Sequence, residues 1–177
     1  MLISEEYRAL NKKLHAVGNY GVIGGRLAPL VMKLCGQVSS TDILDYGCGQ
    51  RMLEKALGFE IVNYDPAIEG LDATPEPAQL VVCGDVLEHI EPEFLNDVLD
   101  DLKRVTQRMG LFVINTAPAA KTLADGRNAH LIQEGWDWWS PKILERFELL
   151  RMERKGNDIW LIVTRKNDAP QTDTRQS

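Results

Sequence analysis

The sequence has few of the residues that form disulfides or hold metal ions. Its 177 residues include three cysteines and three histidines, both widely spaced, and no CxxC pair occurs. An odd number of scattered cysteines favours reduced thiols over a disulfide framework or a zinc site. His15, His89 and His130 are also far apart along the chain. The sequence therefore predicts no protein-bound metal.

Long apolar runs and an excess of positive charge are lacking too. No apolar run approaches the roughly 20 residues that span a bilayer, and the charged first 14 residues lack the apolar centre of a signal peptide. These absences predict a cytoplasmic protein that does not bind membranes. The net charge of −6 gives no general attraction to nucleic acid phosphates, so such binding would require a local basic patch.

What the sequence does have is the composition and alternation of an α/β domain. Hydrophobic residues make up 44% and charged residues 26% of a chain long enough for one core. Apolar runs predict buried strands over 41–46, 59–65, 78–85 and 110–115. Apolar residues at helical spacing predict helices over 4–14, 26–35, 51–57, 91–108 and 140–145. This alternation predicts a doubly wound, mostly parallel sheet with right-handed crossovers.

Four details refine that prediction. Gly36 is the predicted end of the second helix, and Ser140 is the predicted N-cap of the last one, with Pro141 in its first position. Residues 147–165 form two apolar runs separated by a turn at 155–157, which predicts a terminal antiparallel hairpin. The polar residues 166–177 predict a disordered tail.

Polar side chains close several of the predicted strands. Asp45, Asp65, Asp85 and Asn115 each stand at the carboxyl end of a strand. Open α/β sheets bind ligands beyond the carboxyl ends of their strands. The sequence therefore predicts a binding site at this edge of the sheet.

The stretch from Asp45 to Gly49 indicates what kind of ligand binds there. Gly47 and Gly49 follow the first strand, an arrangement that alone is more often a tight turn than a binding loop. Asp65 closes the next strand 20 residues after Asp45, where a carboxylate can accept both hydroxyls of a ribose. Met52 stands where a nicotinamide dinucleotide fingerprint needs glycine, and an acid before the glycines suits a pyrophosphate poorly. The pattern favours a ligand with a ribose and a positive charge.

At these positions the sequence resembles the class I S-adenosylmethionine-dependent methyltransferases, most of all the small ubiquinone-methylase-like members. The resemblance is carried by four stretches: ILDYGCGQ (43–50), VNYDPAI (62–68), LVVCGDVLEHIEPE (80–93) and LFVINTAP (111–118). It implies a Rossmann-like α/β fold with a seven-stranded sheet and a reversed terminal hairpin. It also implies S-adenosylmethionine as cofactor and S-adenosylhomocysteine as product.

By position, the resemblance implies a set of cofactor contacts around the strand ends. These are Asp45, Gly47, Cys48, Gly49, Asp65, Pro66, Ala67, Asp85, Val86 and Leu87, with Tyr20 reaching the carboxylate of the cofactor from the N-terminal segment. The sequence departs from the family pattern twice. Arg51 replaces a third loop glycine that many members have, and residues 69–78 are too short and too rich in proline for a regular third βαβ unit.

The resemblance also implies a domain layout. A single methyltransferase domain covers 1–165, with an N-terminal helical lid segment over 1–38 and a substrate-lid insertion over 116–137. The alternative for the insertion is a surface loop whose Trp136, Trp138 and Trp139 pack on the edge of the sheet.

Methyl transfer from a sulfonium is an in-line displacement that depends mainly on alignment. A general base is needed only if the acceptor must lose a proton. The candidates are His130 and Arg127 in the insertion and His89 in the LEHI stretch, although His89 can equally be structural. We expect replacement of His130 or Arg127 by alanine to impair turnover and to leave cofactor binding intact.

The acceptor is less well defined than the cofactor. No (D/N)PPY motif follows the strand that ends at Asp85, which disfavours methylation of nucleobase amines, and no Pro-Cys nucleophile of the cytosine C5 type occurs. A small or medium-sized acceptor is favoured, with oxygen or nitrogen attack undecided and a nucleic acid or protein acceptor and the oligomeric state left open. Two alternatives remain: a non-catalytic protein that binds S-adenosylmethionine, and a nicotinamide-dependent oxidoreductase.

Overall fold

A six-stranded sheet lies at the centre of the computed structural model, which describes residues 2–16 and 23–166. The strands are β1 (Ile43–Tyr46), β2 (Val62–Tyr64), β3 (Ala78–Gly84), β4 (Thr106–Asn115), β5 (Phe147–Lys155) and β6 (Asp158–Arg165). Their order is β2-β1-β3-β4-β6-β5. Strands β1 to β4 pair in parallel and β6 pairs antiparallel with β4 and β5. The predicted doubly wound, mostly parallel α/β sheet with a terminal hairpin is confirmed.

The resemblance implied a sheet of seven strands, but the described residues form a sheet of six, so this part of the prediction is wrong. Residues 66–77 form turns in place of an edge strand, which leaves the three-residue β2 at the edge of the sheet. Pro75 and Pro77 lack the N–H groups that a paired strand donates. The carbonyl of Pro75 instead accepts two hydrogen bonds of 3.1 Å from the guanidinium of Arg104.

Five α-helices occur in the part of the chain that is described. They are α1 (Glu5–Ala16), α2 (Gly24–Val38), α3 (Met52–Leu57), α4 (Leu95–Val105) and α5 (Trp136–Arg146). Short 3-10 turns at Leu87–His89 and Pro92–Phe94 precede α4. None of the five is long and apolar enough to cross a membrane.

Boundaries of three predicted helices, α2, α4 and α5, are wrong. Helix α2 continues through Gly36, because Val38 is buried in the core, and it ends at Ser39 in the left-handed conformation. Helix α4 starts after a 3-10 turn and stops at Val105, because Thr106 already pairs with β3 and donates its hydroxyl to the carbonyl of Leu102.

Helix α5 begins at Trp136, four residues before the predicted Ser140, and Gly135 stands at its N-cap position. The reason is Trp139, which is fully buried and donates its indole N–H to the carbonyl of Glu134 at 3.0 Å. Pro141 is accommodated inside the helix. The tryptophans of the predicted insertion therefore belong to a helix that packs on the core.

Two large apolar clusters lie on opposite faces of the sheet, and a third, smaller one lies outside it. The third cluster joins Tyr7 of α1 to Leu123 and Ala129, which belong to residues 116–135, called here the 116–135 loop. Helix α1 thus packs on this loop and not on the sheet itself.

Candidate functional site

A cleft opens at the carboxyl ends of β1, β2 and β3, the edge of an open α/β sheet where ligands bind. Its lining comes from α1 and from the loops that follow these three strands. The lining residues are Leu2, Ile3, Tyr7, Asn11, Gly47, Gly49, Asp65, Pro66, Ala67, Gly84, Asp85, Val86, His89, Ile90 and Glu91.

Most of the predicted cofactor contacts meet in this cleft. Seven of them line it: Gly47, Gly49, Asp65, Pro66, Ala67, Asp85 and Val86. Three others, Asp45, Cys48 and Leu87, are buried and do not belong to the lining. Tyr20 lies outside the described residues.

The turn after β1 is fixed by the neighbouring strand. The carbonyl of Tyr64 accepts the N–H groups of both Gly47 and Cys48, at 2.8 and 3.0 Å. Gly47 has a φ of +80°, and a Cβ atom there would lie 2.4 Å from a methyl group of Val86. Glycine is required at this position for its backbone angle and for the close approach of the loop after β3.

The carboxylate of Asp65 connects the two loops on this side of the cleft. One oxygen accepts the N–H of Gly49 at 3.1 Å, and the other accepts the N–H of Ala67 at 2.9 Å. A carboxylate has about four lone-pair positions. Asp65 can therefore hold both loops and still accept the two hydroxyls of a ribose.

Arg51 adopts the conformation that a glycine would favour. Its φ is +55° and its ψ is 39°, and its side chain is exposed at the start of α3. A non-glycine residue in the left-handed region costs roughly 1–2 kcal/mol. The loop thus keeps its geometry where the third family glycine is replaced.

Three carboxyl groups at the strand ends have raised pKa values, and burial is the main cause of each. The pKa is about 7 for Asp45, with the nearby Asp65 as the second cause. It is about 6 for Asp85, with Asp158 second, and about 8 for Glu88, with Asp85 second. Without a ligand, Glu88 is thus mostly protonated at neutral pH. All three would be more readily ionised if a cation lay close by.

Two of these carboxyl groups also contain an oxygen without a partner. Oδ1 of Asp85 and Oε2 of Glu88 are buried and accept no hydrogen bond from the described residues. Asp85 itself has a φ of +54°, in a region where aspartate is more common than most residues. Buried polar atoms of this kind normally have a partner, so they mark the place where a ligand would supply one.

The two candidate histidines meet beside the cleft. The ring centroids of His89 and His130 are 4.7 Å apart and nearly perpendicular. Nδ1 of His89 lies 2.7 Å from the carbonyl of Ala129, and Nδ1 of His130 lies 2.6 Å from that of Ala117. The histidines are distant in sequence but close in space because β3 and β4 are parallel neighbours whose carboxyl ends share one edge.

Glu88 completes this group, and the sequence prediction missed it. A ligating atom of Glu88, one of His89 and one of His130 all lie within 4.8 Å of one another. Oε1 of Glu88 accepts the N–H of Asn115 at 2.8 Å, while Oε2 has no partner. The only sequence signal for Glu88 was its place within LEHI, and an acidic residue there could equally well lie on the surface.

Arg127 lies apart from the other catalytic candidates. It forms an ion pair of 2.7 Å with Asp125 around the turn at Gly126, and both side chains are well exposed to solvent. It does not line the cleft, and its guanidinium lies 5.9 Å from the ring centroid of Tyr7. The structure therefore brings His89 and His130 together but leaves Arg127 outside.

Helix α1 belongs to the segment predicted as an N-terminal helical lid, and it forms a wall of the cleft through Tyr7 and Asn11. Ser4 donates its N–H and its hydroxyl to the carboxylate of Glu91, at 2.9 and 2.6 Å, and its hydroxyl also accepts the N–H of Tyr7. Ser4 is thus both the N-cap of α1 and its attachment to the loop after β3. The contact spans 87 residues of sequence, so no local pattern could reveal it.

A family model places this arrangement among known proteins. The model of the methyltransferase domain matches residues 22–155, which include β1 to β4 and the cleft loops. The chain belongs to the methyltransferase domain family. The predicted membership of the class I methyltransferases is thereby confirmed, and the nicotinamide-dependent alternative is set aside. No curated protein matches the sequence.

Solved structures of this methyltransferase domain's fold agree with that assignment. A Burkholderia thailandensis 1,6-didemethyltoxoflavin-N1-methyltransferase, solved with S-adenosylhomocysteine, has a TM-score of 0.60 at 12% identity, over 94% of this chain and 92% of that one. A Synechocystis magnesium protoporphyrin IX methyltransferase, solved with S-adenosylhomocysteine, has a TM-score of 0.58 at 14% identity, over 89% of this chain and 94% of that one. A protein from Pyrococcus horikoshii has a TM-score of 0.60 at 16% identity, over 87% of this chain and 99% of that one. At such identities the likeness shows the shared fold.

Proposed function

We propose that this methyltransferase binds S-adenosylmethionine in the cleft and transfers its methyl group to an oxygen or nitrogen of a small or medium-sized acceptor. The observation that carries the proposal is Asp65, whose carboxylate faces the cleft while its oxygens hold the N–H groups of Gly49 and Ala67. This arrangement fixes a ribose acceptor between two loops before any ligand arrives.

The proposed cofactor position follows from the chemistry of the cleft walls. The ribose lies at Asp65, the adenine along Pro66 and Ala67, and the methionine part beside Gly47 and Gly49. The sulfonium carries a positive charge, and the carboxyl groups around it provide an acidic setting that favours a cation. Binding of the cation in turn favours the ionised form of the buried carboxyl groups.

The reaction proposed for the bound cofactor is an in-line displacement. The acceptor atom bonds to the methyl carbon while the carbon–sulfur bond breaks and its electron pair stays on sulfur. Because the donor is already activated, alignment supplies much of the rate enhancement. His89 and His130 are the groups placed to influence an acceptor proton.

The 116–135 loop and α1 are proposed to cover the acceptor together. Both contribute to one apolar cluster around Tyr7, and the cleft is lined by Tyr7 of α1 and by Leu2 and Ile3 just before it. These apolar walls favour a small or medium-sized acceptor. Structural neighbours include enzymes named for a toxoflavin precursor, a magnesium porphyrin and 16S ribosomal RNA, so the fold alone does not restrict the acceptor.

Calorimetry with S-adenosylmethionine and S-adenosylhomocysteine tests the cofactor site. We expect Asp65→Ala to weaken binding at least about tenfold, since each charge-assisted hydrogen bond contributes roughly 1.5–3 kcal/mol. The matched control is Asp42→Ala, because Asp42 stands at the amino end of β1 and accepts the N–H of Gln79 on the opposite edge of the sheet. A folded Asp65→Ala protein with unchanged affinity would refute the ribose role.

A screen with radiolabelled S-adenosylmethionine tests the catalytic part of the proposal. Small hydroxylated and amine-bearing compounds, a peptide pool and total RNA are offered as acceptors, and label transfer is measured. Transfer to a small molecule supports the proposal. Tight cofactor binding without transfer to any acceptor class supports the alternative of a non-catalytic cofactor-binding protein.

A further inference from the structure

The group formed by Glu88, His89 and His130 has the composition of a metal site. Two imidazoles and one carboxylate each present one ligating atom, and these atoms lie within 4.8 Å of one another. Three protein ligands of this type leave positions open for water or substrate, as in catalytic metal sites. In a bound state the ligand atoms would lie roughly 3.4 Å apart, given metal–ligand bonds of about 2.1 Å, so a contraction of about 1 Å is required.

The hydrogen bonds of the two histidines prepare them for this role. A backbone carbonyl can only accept, so Nδ1 of His89 and Nδ1 of His130 must each carry the proton that they share with Ala129 and Ala117. The ring lone pair is then on Nε2 in both residues. Metal-ligating histidines almost always donate their second nitrogen in this way, which fixes the ring orientation.

The buried oxygen of Glu88 gives an independent indication. Glu88 is fully buried, one of its oxygens is held by the N–H of Asn115, and the other has no partner among the described residues. A buried carboxyl oxygen left without a partner is costly. A cation at the histidine pair would satisfy it.

We propose that Glu88, His89 and His130 bind a first-row divalent transition-metal ion beside the cofactor cleft. Imidazole nitrogen suits zinc, copper, iron and nickel better than magnesium, which prefers oxygen ligands and retains its water. The proposal reverses the expectation drawn from the scattered histidines of the sequence. The fold brings together residues that are 41 positions apart.

The position of the site beside the cleft indicates a function for the ion in activating the acceptor. This part of the inference rests on the proposed methyl transfer. His89 lines the cleft, so the open coordination positions are available to an acceptor that lies against the cofactor. A metal ion lowers the pKa of a bound hydroxyl and orients it. The acceptor class is therefore a hydroxyl-bearing molecule, methylated on oxygen.

The step balances without a protein base. The coordinated hydroxyl loses its proton to solvent, and its oxygen forms a bond to the methyl carbon. The carbon–sulfur bond breaks, its electron pair remains on sulfur, and S-adenosylhomocysteine leaves as a neutral sulfide. Metal binding uses the same Nε2 lone pairs that a general base would use, so the two roles of the histidines exclude each other.

Titration of the tag-free, EDTA-treated and desalted protein with Co²⁺ tests the site without any cofactor or acceptor. The visible absorption of cobalt reports its ligands. We expect saturation at one ion per chain, competition by Zn²⁺, and no competition by millimolar Mg²⁺. Glu88→Gln, His89→Asn and His130→Asn should each weaken Co²⁺ binding at least about tenfold, and asparagine retains a donor for the carbonyl that Nδ1 now contacts.

The matched control is Glu134→Gln, which removes an exposed carboxylate from the same loop and should leave the cobalt spectrum unchanged. Circular dichroism establishes that each variant is folded, and the histidine variants decide the question if Glu88→Gln is not. Absence of saturable cobalt absorption, or equal affinity in wild type and both histidine variants, would overturn the metal site.

Calorimetry with S-adenosylmethionine, before and after EDTA treatment, separates this proposal from the proposed function. We expect cofactor affinity to be unchanged and methyl transfer to stop after EDTA treatment and return with added metal. Transfer that continues in EDTA, with loss only in His130→Asn, would show that the histidines act as bases, which overturns the metal role and leaves the methyltransferase function standing.

Discussion

The two sides of the cleft differ in how their polar groups are satisfied. On the cofactor side, the loops after β1 and β2 are held by backbone N–H groups, and both oxygens of Asp65 have partners. On the other side, the turn after β3 leaves Oδ1 of Asp85, itself a predicted cofactor contact, and Oε2 of Glu88 without partners among the described residues. The first side is complete before the ligand binds, whereas the second depends on a ligand for completion.

This difference indicates where specificity resides. The proposed ribose site at Asp65, built from backbone and one carboxylate, would recognise the same cofactor whatever the acceptor. The acceptor side combines residues from β3, β4 and α1 that are far apart in sequence, so single substitutions there can alter the acceptor while the cofactor site stays intact. Substitutions on the cofactor side should therefore mainly weaken cofactor binding, whereas substitutions on the acceptor side should mainly lower turnover.

The largest expected effect separates the two sides directly. His130→Asn should lower the turnover number at least about 100-fold, because it removes a ligand of the proposed metal ion and with it the activation of the acceptor hydroxyl. Affinity for S-adenosylmethionine should change by less than about twofold, because His130 does not line the cofactor cleft. Steady-state kinetics and calorimetry on one preparation measure both quantities.

Arg127→Ala is the control for that variant. Arg127 is exposed and paired with Asp125, so its removal should reduce turnover only slightly. An Arg127→Ala defect as large as that of His130→Asn would show that the 116–135 loop acts as a whole and that the two histidines have no separate role.

The pKa of Asp45 gives a second test, on stability without ligand. Burial raises this pKa to about 7, so the folded state binds the proton more tightly than the unfolded state. The contribution of Asp45 to stability is therefore complete below pH 4 and is lost as the pH rises towards 7. The wild type should lose on the order of 3 kcal/mol more than Asp45→Asn between pH 4 and pH 8.

Urea unfolding of both proteins at several pH values measures this difference. The other raised carboxyl groups, those of Asp85 and Glu88, are present in both proteins and cancel in the comparison. Parallel curves of unfolding free energy against pH would mean that Asp45 is hydrated in the folded protein, and the cofactor side would then be less tightly packed than described.

Arg51→Gly should have the smallest effect. Since Arg51 is in the left-handed region, glycine should raise the free energy of unfolding by about 1 kcal/mol. Gln50→Gly is the control, because Gln50 is exposed but lacks a positive φ and should bring no gain. Thermal unfolding measures both, and a loss of cofactor affinity in Arg51→Gly would mean that the guanidinium contributes to the site.

Local patterns were sufficient to predict most of the sheet and to identify residues that meet at the cleft. The run before Asp45 and the one before Asp65 are short apolar strands that end in acids, and such strands look alike in many proteins with this fold. The cofactor loops are also local, since their residues lie within a few positions of a strand end. Sequence spacing therefore translates directly into position.

Long-range packing explains what the sequence did not predict. The apolar spacing of α4 continues into Thr106, and only pairing with β3 reveals where the helix stops. Trp139 extends α5 backwards because the core has room for an indole. Glu88 resembled a surface acid until β4 supplied the N–H of Asn115, and Ser4 gains its partner Glu91 only when α1 crosses the cleft.

The separate cluster of Tyr7, Leu123 and Ala129 has a consequence for how such an enzyme diversifies. The proposed acceptor cover has its own small core, distinct from the two that stabilise the sheet. Helix α1 and the 116–135 loop can thus be replaced as a matched pair without disturbing the foundation beneath them. Exchange of one segment alone would leave the other with an exposed apolar face. We therefore expect that the two segments evolved together and that a graft must transfer both.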